Sequence, residues 1–280
     1  MTPIDAALVV ASDIHLQSPE DRRGRLLLEV LERVERGQVE YLVLLGDIFE
    51  FCLGSHPYFQ KKFAPIGNAL ERVSRSGTRV VFVEGNHEFR LADMPWQGVS
   101  FITNGTHLIQ LQSGVRVQMA HGDMIYSHRR YKAFRALVKS SLVTGIASLL
   151  PGAWMDHLAT KGAEVSRSAD QYRRIEHERI LGAVDTWLES GPGDFGIFGH
   201  FHVPYAEPRR DGRRGAVVSV DCWDKPNLLA FREDRFYRLD LVHLDRLAWE
   251  EAQPLVRSPL PSKGSYLSQH PQAEWLLRRP

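Results

Sequence analysis

Five short segments carry the side chains best able to bind metal or move protons. Asp13 and His15 stand two apart in Ser-Asp-Ile-His-Leu, and Asp47 follows Gly46. Asn86 and His87 follow Gly85, His121 precedes Gly122-Asp123, and His200 and His202 stand two apart in Gly-His-Phe-His. Each segment follows at once on a short apolar run. Taken singly, any of them reads as an ordinary turn at a strand end. Together they form a set of carboxylate, amide and imidazole donors, and that set suits a pair of divalent ions. Ions about 3.5–4 Å apart need a carboxylate between them. Asp47, at the end of Leu42-Val43-Leu44-Leu45-Gly46-Asp47, is the expected bridge. Asp13, His15 and His202 would complete the shell of one ion, and Asn86, His121 and His200 that of the other. These donors suit Mn(II), with Fe or Zn as alternatives, rather than Ca or an all-oxygen Mg cage.

Elements able to position such a set follow from the apolar pattern. Residues 6–12, 41–47 and 79–86 read as buried strands, alternating with helices over 23–37 and 63–77. This alternation predicts a βαβ sheet with helices outside. Residues 106–123 read as a hairpin around Ser113-Gly114. Residues 195–200, 215–221, 227–233 and 235–244 return to strand, after a block from 128 to about 190 that reads as helical. In open α/β sheets, sites form at the carboxyl ends of strands, where all five segments fall. Gly46, Gly85, Gly122 and Gly199 are expected to let the backbone turn tightly there.

The chain of 280 residues is 43% hydrophobic and 25% charged, an ordinary balance for a globular protein with ample core. Residues 1–250 read as one domain with an insertion at about 128–190, and 251–280 as a Pro-rich, extended and partly disordered tail. With 35 basic and 34 acidic residues the net charge is +1, so no global field attracts nucleic acid. The two cysteines, Cys52 and Cys222, make no disulfide framework. The opening residues lack the pattern of a secretory leader, and no apolar run is long enough to span a bilayer. The expected compartment is the cytoplasm.

On these motifs the chain resembles the calcineurin-like metallophosphoesterase superfamily, whose pattern joins Asp-x-His, Gly-Asp, Gly-Asn-His-Asp/Glu, His-Gly-Asp and Gly-His-x-His. The resemblance covers residues 8 to about 245 apart from the insertion. It implies an αββα sandwich of two mixed sheets flanked by helices, a di-metal centre, and in-line attack on phosphorus by a metal-activated hydroxide. It makes His87, together with Asn86 and Asp47, the catalytic group, with His87 assisting transition-state charge or the leaving group. Within the superfamily, Gly46-Asp47-Ile48-Phe49-Glu50-Phe51 and Tyr131-Lys132-Ala133-Phe134-Arg135 resemble segments of the UDP-2,3-diacylglucosamine pyrophosphatases of lipid A biosynthesis. That branch carries an acyl-binding lid where this chain has its insertion, and its reaction yields lipid X and UMP. Two departures stand out. The branch commonly has Arg-Asp after the motif Asn, where this chain has His87-Glu88, and its acidic pair before the Tyr is replaced here by Ser127-His128-Arg129-Arg130. A His can protonate an alkoxide, so ordinary phosphomonoesters and diesters are an alternative substrate class. A non-catalytic scaffold of the same fold is a further one.

The insertion itself carries Arg129, Arg130, Lys132, Arg135 and Lys139, with no acidic residue between 128 and 155 and apolar residues interleaved. A basic amphipathic helix suits an anionic lipid or a membrane surface. It equally suits a helix that packs one side and solvates the other. The lid reading makes Arg129, Arg130, Tyr131, Phe134 and Arg135 substrate-binding residues, a lipid-linked nucleotide the substrate, and the inner-membrane surface a contact. Tyr131 and Phe134 then serve as apolar lid contacts rather than platforms for nucleic-acid bases. Arg167, Arg173 and Arg174, in a mixed-charge helical stretch, read as solvated scaffold.

Overall fold

The computed structural model describes residues 2–103, 105–127, 129–157, 177–202, 205–209, 215–220, 222–233, 235–241 and 253–257. The chain opens with β1 (Ala6–Ala11), α1 (Arg22–Arg36), β2 (Val39–Leu44), β3 (Cys52–Leu53), α2 (Pro57–Lys62), α3 (Ala64–Arg75), β4 (Arg79–Val83), β5 (Glu88–Phe89) and β6 (Val99–Ile102). The hairpin β7 (His107–Gln110) and β8 (Arg116–Ala120) follows. Then come α4 (Arg129–Val138), α5 (Ser141–Ala147), a helical stretch over 152–157 (α6) and α7 (His177–Glu189). The remaining strands are β9 (Phe195–Phe198), β10 (Tyr205–Pro208), β11 (Ala216–Ser219), β12 (Asn227–Arg232), β13 (Arg235–Asp240) and β14 (Gln253–Arg257).

Two mixed sheets result. The larger has the order β14-β13-β12-β1-β2-β4-β6, the smaller β10-β11-β9-β8-β7. The centre of each is parallel, β1 with β2 and β4 in one and β8 with β9 and β11 in the other. Buried on both faces, β1 and β2 read as continuous apolar runs rather than alternating ones. Leu8, Val10, Val43 and Val83 join Ile109, Val117, Met119 and Ile197 in the core between the sheets. Val9, Leu42, Leu44 and Phe82 share the second core with Leu27, Leu31 and Val34 of α1 and Ile66 and Leu70 of α3. Ile180, Val184 and Leu188 of α7 cover Phe198 and Val217 on the far side. The layers are therefore helix, sheet, sheet, helix, as expected.

α1 shows how sequence and packing combine. Asp21 caps its start by accepting from the Gly24 amide at 2.7 Å. Gly37 ends it, but with φ −98° rather than in the left-handed region. It is glycine because a Cβ would stand 1.8 Å from the Ile4 carbonyl oxygen. Elements without a readable period escaped the sequence: the two-residue strands β3 and β5, the short helix α2 and the edge strand β6. Residues 253–257 of the predicted tail form β14 and pair with β13. The rest of that tail, and Arg167, Arg173 and Arg174, lie outside the described residues.

Candidate metal centre

The predicted side chains come from the carboxyl ends of β1, β2 and β4 in one sheet and β8 and β9 in the other. Backbone hydrogen bonds lace the tips beyond the strands. The Asp13 amide donates to the Gly46 carbonyl at 3.1 Å, His15 to Asp47 at 2.9 Å, and Gly199 to His121 at 2.8 Å. Further bonds cross between the sheets, among them the His200 amide to Asp13 Oδ2 at 2.9 Å and His121 Nδ1 to the Leu45 carbonyl at 3.0 Å.

Donor atoms of Asp13, His15 and His202 lie within 4.8 Å of one another, and so do those of Asp47, His121 and His200. A third such group, His15, Asp47 and His87, joins the two. Asp47 thus stands between both clusters, the place of a bridging carboxylate. Asn86 Oδ1 lies 3.1 Å from His121 Nε2, on the second cluster. Five of these residues hold a left-handed backbone unusual for non-glycine: Asp13 (φ 50°), His15 (52°), Asp47 (52°), His200 (69°) and His202 (54°). Strain of this kind persists where surrounding structure over-determines it, and it clusters at functional sites.

The donor set fits metal on an independent ground. Both ring nitrogens of His15 are buried without a hydrogen-bond partner, and a buried polar atom left so is costly unless something binds it. Without metal the carboxylates favour a proton on two of the rings, His121 and His202. Burial opposes charge on His121, but Asp47 beside it pushes its pKa up to about 10. Burial likewise opposes charge on His202, and its bonds to Asp13 and Cys222 raise it to about 11. Burial and the nearby charge of His121 lower His200 to about 4. Burial alone would raise Asp13, and its imidazole partners hold it at about 2.

His87 adjoins the candidate ligands, its ring 4.8 Å from that of His15. Its Nδ1 hydrogen-bonds the Glu50 carbonyl at 2.8 Å, which leaves Nε2 free 3.9 Å from Asp47 Oδ2. Burial lowers its pKa, but Asp47 and the Glu50 carbonyl outweigh that and raise it. Its side chain remains 24% exposed.

Supporting residues were not assigned from the sequence. Glu88, fully buried, accepts the amides of Asp47 and Gly85 on one oxygen and those of Ile48 and Phe49 on the other, at 2.6–3.1 Å. It ties the β2 and β4 tips together. Burial and the charge of Asp47 push its pKa up to about 7. Ser12 donates to Asp13 Oδ2 at 2.7 Å. The glycines act partly as expected. Gly46 and Gly122 have positive φ, whereas Gly85 and Gly199 lie outside that region and are required by crowding. A Cβ on Gly85 would stand 2.2 Å from Asp47 Oδ1, and one on Gly199 2.3 Å from Asp13 Oδ2.

The predicted substrate residues divide. Arg129, Arg130 and Phe134 are exposed on α4. Tyr131 and Arg135 turn inward, and both donate to Asp123 beside His121. A cleft of about 120 Å³ opens between His121, Asp123, Ile125, Arg135 and Trp187. Beyond it, Phe134, Leu137, Leu142, Ile146, Leu149 and Trp154 are 58–85% exposed. Isolated exposed apolar residues are normal, but a run of this kind marks a binding surface. No helix among the described residues is long and apolar enough to cross a membrane.

A sequence model of the Calcineurin-like phosphoesterase family matches residues 7–204. Among curated proteins, the chain is 28% identical over 164 residues to a UDP-2,3-diacylglucosamine hydrolase of Neisseria meningitidis serogroup B, covering 58% of this chain and 68% of that one. It is 28% identical over 250 residues to the protein of the same name in Azotobacter vinelandii, covering 85% of this chain and 99% of that one.

Proposed function

Because the chain belongs to the calcineurin-like phosphoesterase family, we propose that it is a di-metal phosphohydrolase that cleaves the pyrophosphate bond of UDP-2,3-diacylglucosamine, giving 2,3-diacylglucosamine 1-phosphate and UMP. The insertion at about 128–190 serves as the lid over that substrate, and the protein works as a peripheral partner of the inner-membrane surface. The observation that carries this reading is the run of exposed apolar side chains from Phe134 to Trp154, on an insertion whose Arg135 and Lys139 reach Asp123 and Glu84 at the strand tips. A water-soluble phosphoester gives such a face nothing to cover, whereas acyl chains do. The names of the relatives support the same substrate.

Two divalent ions, Mn(II) in this reading, would supply an activated water and neutralise charge on the phosphoryl oxygens. Asp13, His15 and His202 would hold one, His121, His200 and Asn86 the other, and Asp47 would be shared. The chain's own groups then do the rest. Leu45, through its carbonyl, orients the His121 ring by accepting from Nδ1, the outer contact that fixes a ligand imidazole. The Glu50 carbonyl accepts from His87 Nδ1 and so orients the ring, and in its charged form the proton on Nε2 is the one that would meet the leaving oxygen. Arg135, seated on Asp123, lines the cleft beside His121 and offers its guanidinium to the substrate's phosphates. Arg129, Arg130, Tyr131 and Phe134 complete the substrate's surroundings from α4.

A second reading, hydrolysis of ordinary phosphomonoesters or diesters, is favoured by the geometry of His87. A protonated imidazole serves an alkoxide leaving group, while a departing phosphate needs no proton. The test sets UDP-2,3-diacylglucosamine in detergent beside bis-p-nitrophenyl phosphate and p-nitrophenyl phosphate, all with Mn(II). Turnover concentrated on the lipid supports the first reading. Turnover confined to the small esters removes it in favour of the second.

A further inference from the structure

Lys139 belongs by sequence to the basic face of α4, yet it does not share that face's exposure. Its side chain is 13% exposed, and its Nζ lies 2.7 Å from Glu84 Oε1 and 2.6 Å from the Gly85 carbonyl oxygen. It also stands 5.4 Å above the Phe89 ring. Glu84, 4% exposed, uses its other oxygen to accept the Leu91 amide at 2.9 Å. One carboxylate therefore holds both the insertion and the loop that carries Asn86 and His87.

Position gives this contact its weight. Lys139 directly follows α4, its amide donating to Arg135 at 2.9 Å, and it directly precedes Ser140, which caps α5. It stands at the corner between the two helices. α4 buries no residue and α5 only Thr144. Helices gain most of their stability in proteins from packing an apolar face, and this pair packs almost none. Polar seats must hold it instead. One is Arg135 and Tyr131 on Asp123, at the β8 tip. Another lies past α5, where Asp156 meets Lys62 and Tyr58. Lys139 on Glu84, at the β4 tip, is the seat at the corner. Residues 135 and 139 are one turn apart on the same side of the helix, so the two nearer seats face the metal cluster together.

We propose that Lys139 is a positioning residue, which through Glu84 fixes the α4–α5 corner to the β4 tip and so sets where the apolar face stands over the metal centre. The inference rests on the lid reading above. It predicts that loosening the corner harms capture of an amphiphilic substrate while sparing the chemistry.

The experiment uses the full chain loaded with Mn(II), with Lys139→Met, Glu84→Gln and the double variant. Amide hydrogen exchange over 129–147 should rise about tenfold in each, as expected for a local opening with few buried contacts, while 177–189 keeps its wild-type rate. For UDP-2,3-diacylglucosamine, KM should rise about tenfold with kcat little changed, and bis-p-nitrophenyl phosphate turnover should stay within about twofold. The double variant should lose less than the sum of the singles, since both break the Lys139–Glu84 contact. Glu84 is deeply buried, so Lys139→Met, at a partly open position, decides the matter if Glu84→Gln does not fold. Unchanged exchange over 129–147 in Lys139→Met overturns the proposal. Equal loss on both substrates also overturns it, because Lys139 would then act at the reacting centre. Should the wild type not turn over the lipid, the lid reading fails, while exchange and diester turnover still judge the corner contact.

Discussion

At the residue scale, the centre is built so that metal replaces protons. His121 and His202, pushed up to about 10 and 11 by Asp47 and Asp13 against the effect of burial, carry protons in the metal-free protein at neutral pH. Ligation needs neutral rings, so loading must expel them. Calorimetry of Mn(II) binding in buffers of different ionisation enthalpy should register proton release, and affinity should rise as pH rises from about 6 to 9, up to about tenfold per pH unit for each proton expelled. Affinity independent of pH would contradict the assigned ligands. Asp47→Asn keeps the shape but removes the charge proposed to bridge the ions. Metal content after dialysis should fall and turnover should vanish, with the far-ultraviolet circular dichroism unchanged. His87→Ala should leave metal content alone and slow the reaction about 10²–10⁴-fold, the usual worth of a positioned proton donor, with the larger loss on esters whose leaving oxygen is the more basic. Equal loss on all leaving groups would instead make His87 a stabiliser of charge.

The element scale concerns how tips are held and what the insertion presents. Glu88 gathers four backbone amides from two loops. In Glu88→Gln one acceptor oxygen becomes a donor, and each amide left unpaired costs about 1–3 kcal/mol. Chemical denaturation should show that loss, and metal affinity should fall because Asp47 shares the disturbed loop. On the insertion, Leu142 and Leu149 are 73% and 85% exposed. Replacing both with Ser should shift stability by no more than about 0.5 kcal/mol, as for surface positions generally. It should nevertheless weaken sedimentation with anionic vesicles and raise KM for the lipid substrate. Full retention of vesicle binding would contradict a membrane contact through these residues.

At the scale of the whole molecule, the proposed ligands come from both sheets of the sandwich, and a bound pair of ions would be a cross-link between them. A ligand that binds only the folded state stabilises it by about 2.7 kcal/mol at a hundredfold excess over its Kd. Chelation should therefore lower the thermal midpoint of the entire domain in a single transition. A change confined to the insertion, with the domain midpoint unmoved, would contradict a centre shared by the two sheets.

Much of this was legible in the chain alone, and the reasons are physical. Apolar runs of strand length ending in Asp, Asn or His marked both the strands and the tips that the fold brings together, because a buried strand has to end before a polar side chain can be presented. The ligand types followed from what divalent ions accept. What stayed hidden has a common cause: it depends on neighbours distant in sequence. Nothing in the local pattern separates Lys139 from Arg129 or Lys132. Only the approach of the β4 tip turns one of these cations inward onto Glu84 and leaves the others in solvent. Glu88 looked like the last letter of a motif, and the fold made it the acceptor for two loops. Gly85 and Gly199 invited an explanation by conformational freedom, whereas the crowding of Asp47 and Asp13 is what excludes a side chain there. Residue type and spacing determined which chemistry the chain could attempt. Tertiary structure decided which groups meet, because burial, crowding and charge pairing act between atoms that only folding brings together.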